Sequence, residues 1–524
     1  MEKHVHQSRS HAHTLMQCLS VFFVLLLGIV ATAQAQTGLK DIYASHFRVG
    51  NIMNSGVIQN ATIKTQTIRE YNSISCENEM KPNATLTQSG STDDDIKVTI
   101  NSAKNIMQFC SDNKIPMRGH VLVWHGQSPH WFFTADLKTP STPGDSKTVN
   151  WATKAQMEKR LKSYINNLFK LIKETYPNLN VYAYDVVNEA VNVKNGKGCP
   201  RDGGFDVSGV TGGLEPSNNG NSPWVKIYGD NSFIESAFKY ADEARKKYFP
   251  NMKLFYNDFN EWDTPKRDYI IESILKPLKA KGYLDGMGMQ GHVDCDPGQW
   301  AWSRTAIFTE AMSKYAALGV EVHITELDVG KKNFSTTQQA TKYKEIFDYA
   351  IKVNATERPK GNPGFTAIVV WGQNDANTWR GDDEATMFDK SNNKKEAYTQ
   401  VAALVPQSQW GDGTNPSFVN VIYKNTPTYT LTTALSPSAG GSITQSVSGT
   451  SFAQGATVTL TAVAKTGWTF DGWSGDASGT GASTTLTMNA NKSVTAKFKL
   501  TGTGDENLIK DGNFPGSSLT SNWT

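Results

Sequence analysis

From about residue 40 to about residue 405 the chain repeats one alternation eight times: a short β-branched or apolar run, then a longer segment of helical period. That alternation selects a parallel α/β fold, because parallel strands need a helix-length crossover between them. The runs end near Asn51, Glu77, Trp124, Glu189, Asp258, His292, Glu326 and Trp371. Eight such units fit a (β/α)8 TIM barrel with long loops, and polar or aromatic residues gathered at strand C-termini mark a working barrel face. Two segments read as helices that bury one stripe. Asp93–Cys110 aligns Ile96, Ile100, Ala103, Met107 and Cys110 behind an acidic first turn, and Met157, Leu161, Ile165, Leu168 and Ile172 repeat the spacing. His125–Asn150 and Ala190–Asn231 read as long loops that follow strands and overhang the working face.

The ends of the chain have a different character. Residues 1–36 read as a signal peptide: a polar stretch with Lys3, Arg9 and four His, the apolar run Cys18–Val30, then small residues from Ala31 to Ala35. The apolar run has 13 residues, short of the roughly 20 that span a bilayer, so export is expected and no membrane contact after cleavage. Four cysteines then remain, Cys76, Cys110, Cys199 and Cys295, with no CxxC pair, so no structural zinc site is expected. Their pairing stays open. Residues 37–405 form the expected catalytic domain, 406–426 a linker rich in small polar residues, and 427–500 a small all-β module. In that module the stretch Gly467–Trp473 resembles β-rich repeats of bacterial surface and secreted proteins, and Trp468 and Trp473 read as core. Residues 501–524 are a linker and a tail whose Asn507–Phe514 resembles the opening of a carbohydrate-binding β-sandwich.

Charge narrows the partners. The 52 basic and 49 acidic residues give a net +3 with no basic run in the mature region, which argues against nucleic acid and for a neutral polymer. Aromatic residues make up 10% of the chain, including 13 Trp, and flat aromatic faces stack on sugar rings. No residue cluster demands a metal or a cofactor. A chain of this length builds its own core and is expected to act as a monomer.

Two strand-end glutamates carry the chemistry. Cleaving a glycosidic bond with retention needs a nucleophilic carboxylate and a second, protonated carboxyl about 5–5.5 Å away. Tyr184-Asp185-Val186-Val187-Asn188-Glu189 and Ile324-Thr325-Glu326-Leu327-Asp328 each run apolar and then present a glutamate. Asn188 is a candidate donor to a sugar hydroxyl. These motifs resemble the acid/base and nucleophile motifs of glycoside hydrolase family 10 xylanases, and the resemblance extends along the whole barrel segment. It implies that Glu77, Asn78 and Lys81 of Glu77-Asn78-Glu79-Met80-Lys81-Pro82 hold the glycone sugars. His120, Trp124 and Gln127 of the third strand would line the subsite beside the cut.

The same resemblance adds Tyr256, Gln290, His292, Trp371 and Trp379 to the substrate site. Gln290 would bond the sugar held by the nucleophile, His292 bridged to Asp328 would keep Glu326 ionised, and the two tryptophans would roof the glycone. Glu189, beside a developing negative charge, is expected to have a raised pKa and hold its proton. Tyr184 and Thr378 depart from the family pattern, which has Trp and Ser there. The implied activity is retaining endo-hydrolysis of β-1,4-xylan, with xylan and xylo-oligosaccharides as partners. A related barrel β-glucanase and a non-catalytic carbohydrate-binding surface protein are the alternatives.

Overall fold

The computed structural model describes residues 37–142, 145, 147–205, 220–295, 305–419, 428–446, 449–453 and 457–501. The expected leader, the end of the linker at 420–426 and the tail from 502 lie outside the described residues. The chain divides into two units, 1–425 and 426–524.

The first unit is a closed parallel barrel. Numbering its barrel strands only, these are β1 Arg48–Met53, β2 Ser73–Cys76, β3 Met117–Val123, β4 Val181–Asn188, β5 Lys253–Asp258, β6 Gly286–Met289, β7 Glu321–Gly330 and β8 Gly364–Val370. Each pairs in parallel with its sequence neighbour, β8 returns to β1, and the pairing of β6 with β7 completes the ring. Strands β3, β7 and β8 are buried at every position, because helices cover the outside while side chains fill the inside. The outer helices begin where the sequence can cap them. In Lys154–Thr175, Thr153 and Gln156 form a reciprocal capping box, and Met157, Leu161, Ile165, Leu168 and Ile172 face inward as expected. Ser335 and Gln338 do the same for Thr336–Glu357.

Polar side chains fill the barrel beneath the working face. Arg118 forms a buried ion pair with Asp185, and its Nε donates to His323 Nδ1 at 3.2 Å. His323 Nε2 meets Thr366 Oγ1 at 2.9 Å, and that hydroxyl donates to Glu321 at 2.7 Å. Burial pulls the His323 pKa down to about 4, so the ring is neutral, and Phe255 stacks on it with centroids 4.1 Å apart. Buried charges are tolerated here because each finds a partner. The network ends upward on His120, whose Nδ1 lies 2.9 Å from Asp185.

Two elements differ from the sequence reading. The helix expected over Asp93–Cys110 begins only at Lys104; Lys97–Val98 instead pairs antiparallel with Leu86–Thr87. Ile96, Ile100 and Ala103 are still buried, which explains the misleading stripe, and Asp93 pairs with Arg160 at 2.6 Å. Strand β6 stops at Met289. Gly291 turns the chain with φ +77°, and His292–Asp294 restarts as a short strand beside Asp328–Gly330.

Among the described residues the second unit has seven strands in two sheets, of four and three strands. Its core holds Leu431, Val458, Leu460, Trp473, Val494 and Phe498. Trp473 is buried and donates Nε1 to the Gly481 carbonyl at 2.9 Å, while Trp468 is partly buried against the core. Among the described residues no helix is long and apolar enough to cross a membrane, no metal-binding cluster occurs, and Cys76, Cys110, Cys199 and Cys295 are unpaired.

Candidate active site

Glu189 follows β4 with a φ of +54°, a left-handed backbone that a side-chain-bearing residue adopts at a cost of about 1–2 kcal/mol. Its surroundings impose that conformation. Its N–H donates to the Asn257 carbonyl at 2.9 Å, and the next N–H, of Ala190, donates to Tyr256 Oη at 3.2 Å. The half-buried carboxyl accepts from Trp124 Nε1 at 2.9 Å and from Gln290 Nε2 at 2.8 Å.

Glu326 rises from β7, where the pairing with β8 is irregular between Ile324 and Leu327. It is 6% exposed and accepts from Asn257 Nδ2 at 2.9 Å, with His292 Nε2 at 3.3 Å from its other oxygen. Burial alone would raise its pKa, but the hydrogen bond from His292 and the charges of His120, His292 and Lys81 overcome that and bring it to about 2. Burial likewise disfavours a charged His292. Asp328, 2.7 Å from His292 Nδ1, together with Glu326 reverses this and lifts the ring to about 10. Glu326 is therefore an ionised carboxylate facing an imidazolium.

A line of amides joins the two carboxyls. Gln290 Nε2 donates to Glu189 and, at 3.2 Å, to Asn188 Oδ1; Asn257 Nδ2 donates to the same Asn188 oxygen at 3.0 Å and to Glu326. With its oxygen occupied twice, Asn188 has Nδ2 left to offer a ligand. Gln290, expected to bond the sugar at the nucleophile, thus points its amide at Glu189 and Asn188.

Around this pair, Glu77 accepts from Asn54 Nδ2 at 2.8 Å, and Lys81 donates to Asn78 at 3.0 Å with its ammonium 5.1 Å from the centre of the Trp124 ring. Burial lowers the Lys81 pKa against the pull of Glu326, Glu189, Glu77 and Glu79. Trp371 is nearly buried, its ring edge-on to His120 with centroids 5.5 Å apart. Trp379 is 57% exposed; its Nε1 donates to Asp328 at 2.9 Å and its ring lies 5.1 Å from that of His292. An open indole face tied to the polar core is well suited to stack on a sugar. Gln127 is exposed, and its carbonyl accepts the Asn83 N–H at 2.9 Å.

Tyr256 corrects the sequence reading. It is wholly buried, and its hydroxyl accepts from Ala190 and donates to Asp258 at 2.5 Å, so both polar contacts of that hydroxyl brace the Glu189 turn. Strand alternation explains the error: Phe255 and Asn257 face the barrel interior, which leaves Tyr256 on the outer side. The interior residue, Asn257, was the missed member of the site, and the same alternation could have found it. Arg380, which donates to Asp328 at 2.9 Å and pairs with Asp383 and Asp294, was also missed. Of the two departures, Tyr184 is fully buried against Phe169, and Thr378 donates to the Trp371 carbonyl at 3.1 Å.

The model of glycosyl hydrolase family 10 matches residues 38–404, and that of a divergent InlB B-repeat domain matches residues 431–502. The chain is similar to endo-1,4-beta-xylanase Y of Acetivibrio thermocellus, at 48% identity over 73% of this chain and 34% of that protein. It is also similar to endo-1,4-beta-xylanase A of Thermotoga maritima, at 33% identity over 70% of this chain and 30% of that one. It therefore spans about a third of the length of these relatives. Among solved structures, the CBM22-1 and GH10 modules of a Clostridium thermocellum endo-1,4-beta-D-xylanase in complex with xylohexaose match at 46% identity and a TM-score of 0.64. That match covers 72% of this chain and 69% of that one.

Proposed function

Given that the chain belongs to glycosyl hydrolase family 10, we propose that it is a secreted endo-β-1,4-xylanase acting with retention, with Glu326 as nucleophile and Glu189 as acid and base. The observation that carries the reading is the unequal setting of the two carboxyls. Glu326 faces an imidazolium and is held ionised, whereas Glu189 is held by two neutral donors, an indole and an amide. An attacking group must carry its charge before reaction, and the partner must have a proton to give.

In the first step a Glu326 oxygen bonds to the anomeric carbon while the glycosidic bond breaks and Glu189 gives its proton to the departing oxygen. In the second step Glu189 takes a proton from water, the water oxygen bonds to the anomeric carbon, and the ester to Glu326 breaks. Lys81, Asn188, Trp124 and Trp379 surround this point as sugar-binding groups. Xylan as substrate is supported by the activity for which the relatives are named, and export by the leader-like order of residues 1–36.

The test is product analysis on xylan and carboxymethylcellulose side by side, with the anomer followed by NMR. Short β-1,4-xylo-oligosaccharides released first as the β anomer, and lost in Glu326→Ala, are expected. Equal or faster cleavage of carboxymethylcellulose would overturn the substrate assignment.

A further inference from the structure

The peptide that carries Glu189 is held from behind by a buried cation. Directly after β4 the chain makes a hairpin, Val191–Lys194 with Lys197–Pro200, and Arg201 follows it. Arg201 is 3% exposed; its Nε donates to the carbonyl of Glu189, and its Nη1 to the carbonyl of Gly220 at 3.2 Å. The guanidinium also lies 5.9 Å from the centre of the Phe259 ring.

The hairpin is itself fixed. A Cβ on Gly198 would fall 2.4 Å from Tyr269 Cβ and 2.5 Å from the Pro265 carbonyl oxygen, so the hairpin lies in close contact with the helix Thr264–Tyr269. Near its turn Lys194 pairs with Asp202. Arg201 thus links the left-handed peptide of Glu189 to a hairpin packed on the outer helix layer. Asn257 and Tyr256 hold the N–H groups of Glu189 and Ala190, but the carbonyl of Glu189 is held by Arg201, through a charge-assisted bond of roughly twice ordinary strength.

We propose that Arg201 is a positioning residue for Glu189: by holding the Glu189 carbonyl it sets the angle at which the carboxyl meets the departing oxygen. The hairpin after β4 thereby governs proton delivery. This rests on the reading of Glu189 as the acid. Arg201 is too buried to meet substrate, so its loss acts on the chemical step and leaves binding alone. It matters most where the leaving group needs a proton.

The test compares Arg201→Met, Arg201→Lys and Glu189→Ala on aryl xylobiosides with good and poor leaving phenols, alongside Tm. Methionine keeps an apolar stem near Phe259 and removes every donor. A misplacement near 1 Å costs on the order of 100-fold. Arg201→Met is therefore expected to lower kcat/KM, which reports the first step alone, by about that factor on the poor-leaving-group substrate and barely on the good one. Arg201→Lys, which keeps the charge, is expected to fall between. An equal fall in kcat/KM on both substrates, by either variant, would show that Arg201 merely holds the loop and would overturn the proposal. Should Glu189→Ala show no leaving-group dependence, the reading of Glu189 itself fails, and the proposal with it.

Discussion

Replacing His292 by Gln removes the charge that faces Glu326 without dismantling its surroundings. Asp328 keeps the Trp379 indole at 2.9 Å and Arg380 at 2.9 Å, so no buried carboxylate is stranded. The fall of Glu326 from an ordinary 4.5 to about 2 corresponds to roughly 3 kcal/mol of preference for the charged form. With the imidazolium gone, burial is opposed by Lys81, His120 and the Asn257 amide, and Glu326 is expected to titrate near its ordinary 4.5. The acid limb of kcat/KM reports the free enzyme's groups, so in the variant it should move up by about two and a half pH units, with activity at about pH 4 down roughly fourfold from the plateau.

Stability follows the same signs. A depressed carboxyl stabilises above its unfolded pKa and loses that contribution as pH falls through about 2. The raised His292 stabilises fully below 6.5 and loses its contribution as pH rises through about 10. The two describe one interaction, whose energy counts once. Wild-type Tm should therefore decline between about pH 7 and about pH 10, and the variant's should decline less. An acid limb in His292→Gln that coincides with that of the wild type would show that the imidazolium does not hold Glu326 ionised.

Asn257→Ala removes the donor shared by Glu326 and Asn188, and it takes the nearer acceptor from the Thr325 hydroxyl, which donates to Asn257 Oδ1 at 2.7 Å and to the Met289 carbonyl at 3.2 Å. A hydrogen bond to a charged group is worth about 1.5–3 kcal/mol, so kcat on xylan should fall about 10–100-fold, measured with KM at the pH plateau. Gly119→Ala would place a Cβ 2.2 Å from the buried Tyr184 ring, whose outer side packs on Phe169 with centroids 5.2 Å apart. Overpacking of that kind costs about 1–3 kcal/mol, and thermal unfolding should show a lower Tm for Gly119→Ala but not for Gly119→Ala/Tyr184→Leu.

Much of the barrel is legible in the order of the amino acids, because strands buried on both sides read as apolar runs and helices as stripes. Glu189 and Glu326 stand out for the same reason: a lone charge ending an apolar run has no other use there. What escapes is whatever depends on side-chain direction within a run. Tyr256 and Asn257 sit side by side, and only the parity of β5 decides which one enters the barrel. The Asp93–Ala103 stripe shows the converse, since Ile96 and Ile100 flank the short strand Lys97–Val98 and Ala103 lies in a turn, all three buried with helical spacing by coincidence. Long-range amide geometry was equally hidden. Gln290 and Asn188 lie 102 positions apart, and nothing local tells that one bonds the other.

Trapping the first intermediate would decide whether Glu326 is the nucleophile. Incubation with a 2-deoxy-2-fluoro-xylobioside carrying a good leaving group, followed by mass spectrometry of the proteolytic peptides, should find the sugar esterified to Glu326. A label on any other residue, or xylan products formed first as the α anomer with no label at all, would contradict it.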